Sequence, residues 1–171
     1  HVPSVIKRNV FENPGWYTSY TPYQPEIAQG RLEALMNYQT MIADLTAMDI
    51  SNASLLDEPT AAAEAMMLAH RVSKSKSNKF FIHEKCFNQT ISIIQSRAKP
   101  LNIEIEIGQE MSKSEEYFGC YYQYPAADGS IEDISVYAEQ IHSQKGLFIV
   151  GTDLLAITLI QAPGEFGADI V

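Results

Sequence analysis

The stretch from Lys79 to Ile107, KFFIHEKCFNQTISIIQSRAKPLNIEIEI, decides the fold class. It opens on a short apolar run, KFFIH (79–83), passes into a helical segment, NQTISIIQSRA (88–98), and closes on LNIEIEI (101–107), where Leu101, Ile103, Ile105 and Ile107 alternate with polar residues. Strand, helix, strand at these spacings predicts a crossover unit, since parallel strands need a long connection between them. The pattern continues through FGCYYQY (118–124), a helix over IEDISVYAEQIHS (131–143), LFIVG (147–151) and ADIV (168–171). The expected fold class is α/β, a mainly parallel sheet flanked by helices. LNIEIEI has one wet face or lies at an edge, whereas LFIVG, apolar throughout, predicts a central strand.

Upstream, two helices precede the sheet. From Gln29 to about Met48 the residues Leu32, Leu35, Met36, Ile42 and Leu45 recur at three- and four-residue steps, with Glu33, Asn37, Thr40 and Asp44 opposite them. That spacing gives an amphipathic helix. The turn-like DISNAS (49–54) separates it from a second helix over Glu58–Val72. Asp57 can cap that helix, Glu58 complements its positive end, and Pro59 is tolerated in the first turn, where its missing N–H has no partner to lose.

The 171 residues suit one ordinary domain, and 46% apolar content supports a core. A net charge of −9 and a pI near 4.8 argue against a general nucleic-acid surface, which needs clustered Lys and Arg. Lys74, Lys76 and Lys79 in VSKSKSNK (72–79) read as a solvated connection. Cys86 and Cys120 form no CxxC pair, which fits a reducing compartment, and His1, His70, His83 and His142 lack metal-ligand spacing. There is no apolar run of membrane-spanning length and no signal-peptide pattern, so the chain reads as soluble. It begins at His1 and stops inside an apolar run, which reads as a piece of a longer polypeptide.

In open α/β sheets ligands bind beyond the carboxyl ends of strands and at helix N-termini. Two positions qualify. In NASLLDEPTAAAEA (52–65), Asn52, Ser54 and Thr60 surround a helix start that could hold a phosphate or carboxylate. Asp57 and Glu58 oppose an anion there, and ordinary capping explains the same residues. In VGTDLLA (150–156), Thr152 and Asp153 follow a buried strand, where Asp153 could pair with a cationic ring nitrogen or cap the next helical turn. There is no GxGxxG, GxxxxGK[ST] or GxSxG. Neither Lys79, opening a strand, nor Lys145, in a turn, has a setting that would lower its pKa for imine formation; both read as exposed.

The segment NPGWYTSYTPYQPEIAQGRLEALMNYQTMIADLTAMDISNASLLDEPTAAAEAM (13–66), with QYP (123–125), TDLLA (152–156) and PGEFGADIV (163–171), resembles the glycine cleavage system P-protein family, the pyridoxal-phosphate-dependent glycine decarboxylases. The resemblance runs in order along nearly the whole chain. It implies part of the large domain of a fold-type-I, aminotransferase-like enzyme, in the N-terminal half or first subunit. It divides the chain into an extended N-terminal docking arm, residues 1–28, and an incomplete large domain, residues 29–171, truncated at Val171. Two positions depart from the family pattern: Pro59, where a small residue is expected, and Ala47, where Gly is usual.

The resemblance further implies an enzyme that decarboxylates glycine and passes the aminomethyl group to the lipoyl arm of a partner H-protein. The aldimine lysine belongs to the other half, which binds most of the pyridoxal phosphate, so this chain alone is expected to be inactive, without a catalytic residue or metal of its own. Tyr20, Tyr23, Gln24 and Glu26, in YTPYQPE (20–26), are implied to face the active site at the interface of the halves; packing of the tyrosines under the first helix is the alternative. Asn52, Ser54, Thr60 and Asp153 would then line a degenerate cofactor pocket. The implied partners are the C-terminal half or second subunit, the lipoylated H-protein and glycine, with neither nucleic acid nor membrane. The implied location is the bacterial cytoplasm, or the mitochondrial matrix in a eukaryote. The rival readings are a free-standing enzyme with its own lysine and a non-catalytic binding or regulatory module that keeps the fold.

Overall fold

The computed structural model describes residues 2–17 and 23–171, which fall into two compact units, residues 1–37 and 38–171. In the first unit the described residues include short helical turns. Ser4–Ile6 and Pro14–Tyr17 are α-helical turns and Lys7–Phe11 a π-helical one. The cause of the second α turn is local: Asn13 accepts the Gly15 N–H at 2.9 Å on its side chain, and Pro14 has the fixed φ that a first helical position requires. Gln24 is extended, at φ −109° and ψ 92°, before Pro25 opens a 3-10 turn, Pro25–Ile27.

Helix α1, Gln29–Thr46, ends where Ala47 takes φ +57°, with Met48 N–H bonded back to the Ala43 carbonyl at 3.0 Å. This left-handed residue stops the helix two positions short of the expected Met48. Helix α2, Glu58–Val72, keeps its predicted bounds: Asp57 accepts the Thr60 N–H at 2.8 Å and Pro59 sits in the first turn.

Four parallel strands, β1 Lys79–His83, β2 Glu104–Gly108, β3 Gly119–Tyr124 and β4 Leu147–Thr152, form a sheet in the order β2-β1-β3-β4. Helices α3, Asn88–Ala98, and α4, Ser135–Ser143, complete the crossovers. One face packs Phe80, Ile82, Phe118, Tyr121 and Ile149 against α2 and α3, where Ala62, Ala63, Met66, Ala69, Ile94 and Ala98 are buried. The other buries Phe81, Tyr117, Tyr122, Tyr124, Phe148 and Val150 against Ile134, Ala138 and Ile141 of the α4 region. Each large side chain so buried contributes roughly 1.5–3 kcal/mol. The Tyr124–Pro125 peptide is cis.

Two expectations change. Strand β2 is at the edge as its alternation implies, but it starts at Glu104, because Lys99–Leu101 forms a 3-10 turn closed by Asn102 at φ +54°. Helix α4 starts at Ser135 rather than Ile131, because the Asp133 carboxylate takes both the N–H and the hydroxyl of Ser135. β4 is the last strand of the order β2-β1-β3-β4, beside β3, which is buried along its whole length. The outer edge of β4 bonds instead to 169–170, where Val150 N–H meets the Ile170 carbonyl at 2.9 Å. Its apolar sequence reports two covered faces.

Candidate functional site

The carboxyl ends of β3 and β4 converge on the start of α2. Tyr121 and Gln123 alternate onto the same face of β3, and both are buried. The Tyr121 hydroxyl donates to Gln123 Oε1 at 3.1 Å. Gly151 lies beside them because there is no space for a side chain: a Cβ would run into the Tyr121 hydroxyl and Gln123 Oε1. Gln123 and Asp153 both lie close enough to Glu58 to act on its carboxylate. Glu58 as a residue is exposed, but its carboxyl end loses water; that desolvation raises its pKa and Asp153 adds to the rise, while Gln123 opposes it. Thr152 is half-buried, and its Oγ1 is shielded from solvent without a partner among the described residues.

The sequence-derived positions do not assemble into one cradle. The Thr60 N–H is taken by Asp57, whose pKa is lowered by the Thr60 side chain first and by this bond second. Asn52 and Ser54 are exposed and make no side-chain hydrogen bond among the described residues. Asp153 caps the next turn through the Ala156 N–H at 3.0 Å. Of the YTPYQPE residues, Tyr20 lies outside the described residues, while Tyr23, at 74%, Gln24 and Glu26 are exposed. Glu58, Tyr121 and Gln123 were missed as a group, because only the register of β3 and β4 turns them toward α2. Their signal in sequence is a Gln inside an otherwise apolar and aromatic strand, FGCYYQY.

Lys79 corrects an expectation. It is half-buried, not exposed, paired with Glu115 at 2.8 Å and Glu104 at 3.9 Å, and the Glu115 bond raises its pKa. That shift is opposite to what imine formation requires. Lys145 is exposed, at φ +63° in the turn before β4. Pyridoxal phosphate, implied by the resemblance, needs a home for its phosphate, an acid facing its ring nitrogen, and an amine. These residues do not fit it. Two carboxylates stand at the α2 start, Asp153 is engaged as a cap, and Tyr121 and Gln123 fill the space over Gly151.

The profile of the family described as glycine cleavage system P-protein matches residues 1–171. The chain belongs to the glycine cleavage system P-protein family. It is similar to the glycine dehydrogenase (decarboxylating) of Jannaschia sp. (strain CCS1), 57% identical over 171 residues, 99% of this chain and 18% of that protein. The chain therefore spans about a fifth of the length of this curated P-protein relative. Among solved structures it is similar to a glycine decarboxylase (P-protein) in inhibitor-bound form: TM-score 0.88, 30% identity, 99% of this chain and 40% of that one. A Campylobacter jejuni protein crystallised with N′-pyridoxyl-lysine-5′-monophosphate has TM-score 0.56 and 14% identity over 78% of this chain and 33% of its own. That likeness shows the fold alone, the parallel α/β sheet of fold-type-I lyases.

Proposed function

We propose that this region is part of a glycine decarboxylase that uses pyridoxal phosphate, bound mainly by another part of the protein, and passes the aminomethyl group of glycine to a lipoylated H-protein. Within it, these residues act as scaffold and as a wall of the active-site interface, without the cofactor lysine. The observation that carries this reading is the filled carboxyl end of the sheet. Tyr121 and Gln123 occupy the place above Gly151, with Glu58 near Gln123, and Lys79 is held by carboxylates.

The segment around Tyr23, Gln24 and Glu26, with Tyr20, serves as the docking arm of residues 1–28 toward that interface. The exposure of Tyr23, Gln24 and Glu26 supports the role. Asn52, Ser54, Thr60 and Asp153 are what is left of a degenerate pocket, with Thr60 and Asp153 now holding helical turns. Residues 29–171 belong to a large domain completed elsewhere in the polypeptide or by a second subunit. A protein with this chemistry works in the cytoplasm of a bacterium, or in the mitochondrial matrix of a eukaryote.

The test loads the full-length protein with pyridoxal phosphate, reduces it with borohydride and maps the pyridoxyl adduct by peptide mass spectrometry. The expected adduct is one lysine outside residues 1–171. Stoichiometric labelling of Lys79, or of any lysine in this region, would overturn the division of labour.

A further inference from the structure

On the opposite face of the sheet from Tyr121 and Gln123, a dense polar and aromatic cluster joins the end of β1 to residues 126–133, the loop after β3. His83, 3% exposed, ends β1 with its ring 4.5 Å from that of Tyr122 and 5.6 Å from that of Tyr137. Its Nδ1 accepts the Lys85 N–H at 3.2 Å, so the proton of the neutral ring is on Nε2. Lys85 in turn holds the loop. Its carbonyl accepts the Ala127 N–H at 2.8 Å, and its ammonium pairs with Glu132, reaches Ser130 at 3.3 Å and Asp128 at 3.8 Å. Glu132 also accepts from the Tyr122 hydroxyl at 3.2 Å. The loop closes on itself through Ala126 N–H to Ser130 carbonyl at 3.0 Å, with Gly129 at φ +82°.

We propose that residues 126–133 form a strap, fastened to the turn after β1 by Lys85, and that acidification releases it through His83. A proton added to His83 goes to Nδ1, where it faces the Lys85 N–H, and two donors cannot share that contact. The main chain at Lys85 must then move, and with it the carbonyl and ammonium that carry the strap.

The groups around the ring are Glu84 and Lys85 in the turn, Glu132 on the strap, Tyr122 on β3, Tyr137 on α4, and the Gln109 carbonyl before β3, with Glu110 beyond Tyr137. Glu132, Glu84 and the Gln109 carbonyl favour the charged ring. Burial opposes them and is the largest effect, with Lys85 adding to it, so His83 titrates below its ordinary range. The sign follows: a depressed folded pKa means the closed strap is stable above the ordinary histidine pKa and loses stability as pH falls toward the folded one. Glu132 does not mimic this effect, because Lys85 lowers its pKa and keeps it ionised through the same range.

The experiment is amide hydrogen exchange of the full-length protein at about pH 7.5 and about pH 5.5, read as protection factors so that intrinsic exchange rates cancel. As pH falls from the ordinary histidine pKa toward the depressed one of the closed strap, the opening equilibrium is expected to rise by up to about tenfold per pH unit, in peptides covering 84–87 and 126–133 and not elsewhere. His83→Gln keeps an acceptor that cannot charge, and should leave the strap equally protected at both pH values. Glu132→Gln should open it at both. A strap whose protection is the same at both pH values, a loss spread evenly over all peptides, or a His83→Gln protein that still opens in acid would overturn the proposal. Should His83→Gln fail to fold, the wild-type comparison and Glu132→Gln decide it.

Discussion

At the scale of single residues, the carboxylates at the start of α2 behave in opposite ways. Asp57 is stabilised as an anion by the Thr60 side chain and then by the Thr60 N–H, so its cap is intact above the ordinary aspartate pKa and is lost as pH falls. Glu58 is destabilised as an anion, chiefly by losing water, so its contribution is present at low pH and falls as pH rises through its raised pKa. Glu58→Gln copies the protonated state. Thermal melts of the full-length protein between about pH 5 and about pH 7.5 should show the variant gaining on the wild type as pH rises. The gain should be a few tenths of a kcal/mol, because solvent screens the group and the helix dipole favours the negative charge. A clear loss of stability at neutral pH would show that the dipole outweighs desolvation. Asp153 was legible as an alternative, ring partner or cap, and the structure has it capping Ala156; which one held depended on the chain reaching a 3-10 turn, Ala156–Thr158, at that point.

At the scale of elements, the end of α1 shows how a departure from a family pattern is accommodated. Ala47 occupies the left-handed position that suits glycine, and the backbone stays there because Gly164 lies against it: a Cβ on Gly164 would collide with the Ala47 carbonyl. Ala47→Gly removes the strain, about 1 kcal/mol, and should raise the melting temperature of the full-length protein. An unchanged or lower midpoint would mean that the added flexibility of the unfolded glycine cancels the relief. The bounds of α2 were legible because Asp57 and Pro59 are themselves the start signal, whereas the start of α4 was not. Ile131 to Ile134 has helical apolar spacing, yet Glu132 is drawn to Lys85 and Tyr122 while Asp133 turns back onto Ser135. Tertiary partners overrode local periodicity there.

At the scale of the whole molecule, the second unit carries large apolar side chains in water: Ile50 and Leu56 are each 86% exposed, Leu155 71% and Leu159 88%. Side chains of this kind on a chain covering 18% of a relative's length suit contact with further polypeptide. The 171-residue chain by itself should self-associate with rising concentration in light scattering, and Leu56→Ser, Leu155→Ser and Leu159→Ser together should suppress it. A monomer at high concentration would count against this. What the sequence by itself determined was the α/β class, the edge place of β2, the capped start of α2 and the family, because each is written in neighbouring residues or in long ordered motifs. The place of β4, the pairing of Lys79, the union of Glu58 with Tyr121 and Gln123, and the Lys85 strap were decided only by tertiary structure. Each depends on residues far apart in the chain, such as 58 and 123 or 85 and 132, and their contact follows from strand order and register, which no local pattern encodes.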